Sequence, residues 1–207
     1  MTAVTETRLR FTGHAKAELA ELPFDDAPRH EREVVGSTLY SVVSPGTELN
    51  LGYVGEQNPW DPGYAAVMRV TAVGGAVDDL APGDVVYCMG RHSSHNRVDR
   101  AGAMKLPEGV SPMHAGFARL MGVSMSTLMT TTARAGDVVL VTGLGLVGNL
   151  AAQNFRAAGF DVWACEPNAA RRELARACGL TQVVERIDAK DAGLAGRVAL
   201  VVECSGH

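Results

Sequence analysis

Apolar and polar positions along the chain fall into two regimes. Up to residue 109 the apolar residues come in short runs broken by turn-forming pairs. Runs at 8–12, 33–43, 65–73 and 84–89 read as strands, separated by Pro45-Gly46, Pro62-Gly63, Gly74-Gly75, Pro82-Gly83 and Pro107-Glu108-Gly109. That spacing predicts a small, mostly antiparallel, barrel-like β domain. From Ser111 the pattern turns helical and then alternates. It gives a strand at Val138–Thr142, a helix over 148–158, a strand at Asp161–Cys165, a helix at Ala169–Ala177, and strands at Gln182–Val184 and Val198–Glu203. Such alternation makes a parallel sheet with right-handed crossovers. The predicted class is α/β with a β-rich N-terminal domain over 1–123 and a partial doubly wound domain over 124–207.

The junction between the first parallel strand and its helix carries the strongest chemical signal. Val138 to Thr142 feed directly into Gly143-Leu144-Gly145-Leu146-Val147-Gly148, and the helix pattern follows with Val147, Leu150, Ala151, Phe155 and Ala158 on its apolar side. In a dinucleotide site the first glycine makes the tight turn, the second lets backbone approach the pyrophosphate, and the third lets the helix pack on the strand. Free N–H groups at the helix start then hold the phosphates. The next strand ends at Glu166, where such sites place an acid that accepts from the adenosine ribose. That charge favours NAD over NADP. Arg171 and Arg172, just past the Asn168 cap, pull the other way: Arg171 is a candidate for the ribose end, and both also read as the solvated face of an amphipathic helix.

Totals change the picture only by exclusion. A net charge of −4 shows no basic stripe, so nucleic acid is not an expected partner. No apolar run reaches the ~18–20 residues that span a bilayer, and residues 1–10 lack a signal-peptide core, so the expected location is the cytoplasm. The four cysteines make no close pair and read as reduced thiols. Cys88, His92 and His95 could offer three metal ligands on one loop, but no fourth ligand is evident. Met113, Met121, Met125 and Met129 read either as a helix wall packing between the domains or as a pocket lining. The final strand ends at Cys204-Ser205-Gly206-His207, after four of the six strands of a complete doubly wound sheet, so a truncated or complemented chain is expected.

With both halves in view, the chain resembles the medium-chain dehydrogenase/reductase superfamily. The resemblance rests on Leu9-Arg10-Phe11-Thr12-Gly13, on Tyr40 to Glu48 with its Ser44-Pro45-Gly46-Thr47-Glu48 wording, on Pro62-Gly63-Tyr64-Ala65-Ala66-Val67, on Ala81 to Val86, and on Leu106 to Ser111. The Ser-Pro-Gly-Thr-Glu wording is similar to a subgroup that includes bacteriochlorophyllide dehydrogenase. The resemblance implies a GroES-like barrel followed by a partial Rossmann domain. It also implies a zinc site that this sequence departs from: Pro45, Tyr64 and Val123 stand at the ligand positions, and neither proline nor valine can bind zinc. No metal is therefore expected.

The implied activity is a zinc-independent, NAD(P)-dependent oxidoreductase that passes a hydride between a nicotinamide and a small alcohol or carbonyl substrate. Thr47 matches the family's proton-relaying hydroxyl. Tyr64 could present a phenol to the substrate oxygen. His92 and His95 lie near the expected substrate rim, and either could shuttle protons. Thr47, Tyr64 and His95 are carried forward as the catalytic candidates. Glu48 reads as a structural carboxylate. The rival reading is a catalytically silent fragment or assembly subunit, with a homo-oligomer or a complementing chain as partner.

Overall fold

The computed structural model describes residues 4–188, 190 and 193–206, and His207 lies outside them. The chain divides into two compact units, residues 1–118 and 119–207. In the first, β1 (Val4–Gly13) and β2 (Lys16–Phe24) form an antiparallel hairpin. Strands β3 (Glu33–Ser41), β4 (Ala66–Val73), β5 (Val85–Cys88), β6 (His95–Asp99) and β7 (Ala103–Lys105) form an antiparallel sheet in the order β6-β3-β4-β5-β7. Bridges from Arg8 to Ser93 and from Phe11 to Trp60 fasten the hairpin to loops of that unit. The core gathers alternate residues, Ala66, Met68 and Val70 from β4 and Val86 and Cys88 from β5, as the strand period of two dictates. Two short helices, α1 (Pro45–Glu48) and α2 (Pro112–Ala115), follow proline starts.

The hydrophobic pattern does not mark β2, β6 or β7. β2 mixes two Ala, two Glu and a Lys with its two Leu, and most of its residues are exposed, so no apolar alternation reveals it. β6 reads His-Asn-Arg-Val-Asp and is held by ladder pairing with β3.

In the second unit, α3 (Ala118–Thr130) precedes β8 (Val138–Thr142), α4 (Leu146–Ala157), β9 (Asp161–Cys165), α5 (Ala169–Ala177), β10 (Gln182–Val184) and β11 (Val198–Glu203). The sheet runs β10-β9-β8-β11, and every neighbouring pair is parallel. This is the 3-2-1-4 order of a doubly wound fold, with its switch point between β8 and β11. Ala151, Ala152 and Phe155 of α4 pack onto Val139, Val141, Ala164 and Val202 of the sheet. α3 is joined to α4 by a polar link: the Asn154 side-chain amide donates to Ser124 Oγ at 2.6 Å and to the Met121 carbonyl at 3.0 Å. Met125 and Met129 stay exposed on α3.

Candidate functional site

β8 runs into the glycine turn at the switch point. Gly143 has φ +81°, and a Cβ there would lie 2.6 Å from the Ser205 backbone, so only glycine turns the chain here. Its N–H donates to the Cys165 carbonyl at 2.8 Å, which anchors the turn to β9. A Cβ on Gly148 would fall 1.8 Å from the Gly143 carbonyl oxygen, so that glycine sets how closely α4 seats on the turn. Gly145 faces open space and forms the N-cap of α4 with no side-chain cap. The first N–H groups of the helix therefore have no partner within it, and they form the positive end of its dipole. The buried amide nitrogen of Asn149, one turn in, also lacks a partner among the described residues. These orphan donors, with an open approach over Gly145, fit a bound pyrophosphate.

Glu166 closes the turn from the side. Its carboxylate accepts from the Leu144 N–H at 2.7 Å and from the Asn168 N–H at 2.9 Å, with the Arg171 guanidinium 3.7 Å away. Burial pushes its acidity down, but the two N–H donors and Arg171 outweigh that and hold the pKa below the usual glutamate value. The carboxylate thus stands ionised beside the turn and spends one lone pair per oxygen on the backbone. Arg172 is tied to the Glu166 and Pro167 carbonyls at 2.8 and 2.7 Å. Arg171 remains more than half exposed.

A second constellation lies wholly in the first unit. His92 is buried between Ser41, whose Oγ sits 2.8 Å from Nδ1, and Glu48, whose Oε2 sits 2.8 Å from Nε2. Glu48 is 2% exposed, and its other oxygen accepts the Ser44 N–H at 2.8 Å. A carboxylate only accepts, so Nε2 donates to Glu48; in the neutral ring Nδ1 is then left to accept from the exposed Ser41 hydroxyl. The backbone of the 62–64 loop holds the histidine in place. The His92 N–H donates to the Pro62 carbonyl at 3.0 Å, and Gly63, with φ +105°, has no room for a Cβ, which would meet the His92 nitrogen at 2.5 Å. The Ser-Pro-Gly-Thr-Glu and Pro-Gly-Tyr segments therefore meet at one histidine, the first at its ring and the second at its backbone.

The other sequence candidates lie as follows. Thr47 is half-buried on α1, and Tyr64 is half-buried beside Gly63. His95 opens β6, pairs its Nδ1 with Ser94 Oγ at 3.0 Å, and stacks on Phe24 with ring centroids 4.8 Å apart. His92, rather than His95, is the histidine joined to a buried carboxylate. Ser41 escapes motif reading, because nothing local marks a serine 51 residues from its histidine. Cys88 is fully buried, and burial pushes its thiol up to about 11. His92 and His95 are each engaged elsewhere, so that loop offers no assembled ligand set. Pro45 begins α1, and Val123 lies on α3 in the second unit. Among the described residues no group of three His, Cys, Asp or Glu side chains could hold a metal ion. The residues at the family's zinc positions do not fit zinc.

No family model and no curated protein matches the chain. Solved structures do. A proposed zinc-binding dehydrogenase from Sinorhizobium meliloti, bound to NADP, superposes with a TM-score of 0.85 at 20% identity, over 99% of this chain and 71% of that one. The fold is that of the medium-chain dehydrogenases. Acetophenone reductase from Geotrichum candidum, in complex with NAD, gives 0.82 at 19% identity, over 96% of this chain and 68% of that one. The 2R,3R-butanediol dehydrogenase from Bacillus subtilis gives 0.81 at 19%, over 97% and 70%. The GroES-like and Rossmann parts expected from the sequence are both present in this dehydrogenase fold. No helix among the described residues is long and apolar enough to cross a membrane.

Proposed function

We propose that the chain acts in a nicotinamide-dependent oxidoreductase that interconverts an alcohol and a carbonyl without zinc. The observation that carries this reading is the glycine turn at the β8–β11 switch point, with its orphan helix donors and an ionised acid closing its side. The α4 N–H groups would hold the pyrophosphate. Glu166 has lone pairs left for ribose hydroxyls and repels a 2′-phosphate, which favours NAD; exposed Arg171 beside it leaves NADP as a second ligand. A nicotinamide bound there would accept or supply the hydride. The neighbours solved with NADP and with NAD support that cofactor class.

The proton side of the reaction falls to residues of the first unit. As an alcohol is oxidised, its hydroxyl proton must leave. Ser41 is exposed and can take it while handing its own to His92 Nδ1, with Glu48 fixing the ring through Nε2. Reduction runs the same transfer backwards. Thr47 and Tyr64 offer a hydroxyl and a phenol as hydrogen-bond donors to the substrate oxygen. The test is titration calorimetry with NAD, NADH, NADP and NADPH, on the wild type and on Gly145→Val. At least one dinucleotide should bind the wild type at micromolar level, and the valine side chain should weaken it by about 100-fold by filling the approach to the pyrophosphate. Absence of binding by all four would defeat the reading.

A further inference from the structure

Between the hairpin and the β6 side of the first unit lies a cavity of about 670 Å³ whose lining carries four arginines, Arg8, Arg29, Arg91 and Arg97, against one carboxylate, Glu6. The four are not equivalent. Arg8 is consumed by Glu6, through Nε and Nη2 at 2.8 Å, and by Asp61 at 2.8 Å. Arg97 donates to Glu33 at 2.8 Å and to the Asp25 carbonyl, and lies over the Phe24 ring 4.9 Å from its centroid. These two are wall. Arg91 reaches Asp61 only at 3.6 Å, and that carboxylate already takes Arg8 and Arg10 at 2.6 to 3.0 Å. The Arg29 side chain has no partner among the described residues; only its main-chain N–H is engaged, by Glu33.

Two exposed guanidiniums therefore present open donor faces to one cavity, with an apolar side beside them supplied by Leu22, Pro23 and Met89. Phe24 lies between Arg97 and His95, stacked on the imidazole with the guanidinium over its ring. Guanidinium forks match the planar or tetrahedral oxygens of carboxylate and phosphate, and neither needs a metal to be held. A volume of this size suits a small organic molecule.

We propose that this cavity binds a small amphiphilic anion, with its carboxylate or phosphate on Arg29 and Arg91 and its apolar body on Leu22, Pro23 and Met89. The proposal concerns the first unit alone and stands apart from the dinucleotide reading.

Calorimetry at low salt with hexyl phosphate, hexanoate, 1-hexanol and inorganic phosphate tests it. At least one of the two amphiphilic anions should bind one-to-one, and the tighter of the two identifies the head group. The neutral alcohol and bare phosphate should each bind at least about tenfold more weakly. Arg29→Gln/Arg91→Gln should weaken the anion about tenfold or more, as should raising the salt, while leaving NAD(H) titration as in the wild type. Arg29→Gln alone breaks no described side-chain interaction, and it should lower affinity part of the way even if the double variant is poorly folded. Equal binding to wild type and Arg29→Gln, no binding by either amphiphilic anion up to ~10 mM, or loss of NAD(H) binding in Arg29→Gln would overturn the proposal.

Discussion

At the scale of single residues, Glu48 and His92 depend on each other. Each is nearly inaccessible, so losing either one leaves a buried atom of the other, Nε2 or Oε2, without a partner, which costs about 1–3 kcal/mol. Glu48→Gln keeps the shape but sets an amide N–H₂ or a weaker acceptor against Nε2, so it should lower stability by about that amount and scramble the tautomer facing Ser41. If His92 carries the proposed proton transfer, His92→Asn should lower kcat for alcohol oxidation at least about tenfold with KM little changed, a split that a merely structural histidine would not produce. An unaltered kcat in His92→Asn would remove it from the proposed proton path. Asp61 offers a different kind of test. Hydrogen bonds from Arg10, opposed by burial and joined by Arg8, draw its pKa from 3.8 down to about 2. Its folded-state pKa is below the unfolded one, so its stabilisation is fully present above about pH 4 and fades as pH falls through about 2. Urea midpoints measured down that range should drop in the wild type and drop less in Asp61→Asn.

At the scale of elements, the turns decide more than the strands do. Gly63→Ala would force a side chain at φ +105° into the backbone of Arg91 and His92, so it should cost about 2 kcal/mol or more and displace the imidazole from Glu48. Chemical denaturation gives the first effect, and the histidine ring resonances give the second. The same contrast explains what could be read from the sequence. The glycine turn and Glu166 lie within one strand–helix–strand stretch, so their spacing along the chain carries their geometry. The central strands β4, β5, β8 and β9 announce themselves because each buries a face against its own core. β2 and β6 are defined by a partner strand rather than by their own composition. The Ser41–His92–Glu48 group is assembled from a strand end, a loop after β5 and a four-residue helix, separated by 44 and 51 residues. No local rule distinguishes His92 from His95 there; the long-range contacts with Ser41, Glu48 and the Pro62–Gly63 backbone do.

At the scale of the whole molecule, each unit closes its own core: one cluster draws only on residues 34–103, the other on residues 139–202 with Leu128 and Cys204 packed against it. A polypeptide of residues 1–118 should therefore melt cooperatively with a β-type circular dichroism spectrum; a non-cooperative melt would show that its core needs more of the chain. The cysteines divide along the same line. Cys88 alone lies in the first unit, inaccessible and with its thiol held protonated at neutral pH, while Cys165, Cys178 and Cys204 sit half-buried in the second. A disulfide reagent can thus modify Cys88 only when β5 opens, at a rate that follows the opened population. Met89, its neighbour in sequence, lines the arginine cavity. An anion seated there should slow the reaction of Cys88, and a dinucleotide on the glycine turn should instead slow Cys165, whose carbonyl accepts from Gly143, and Cys204, which lies against Gly148. With both ligands bound as proposed, peptide mass mapping of these thiols would tell the two sites apart without any added label.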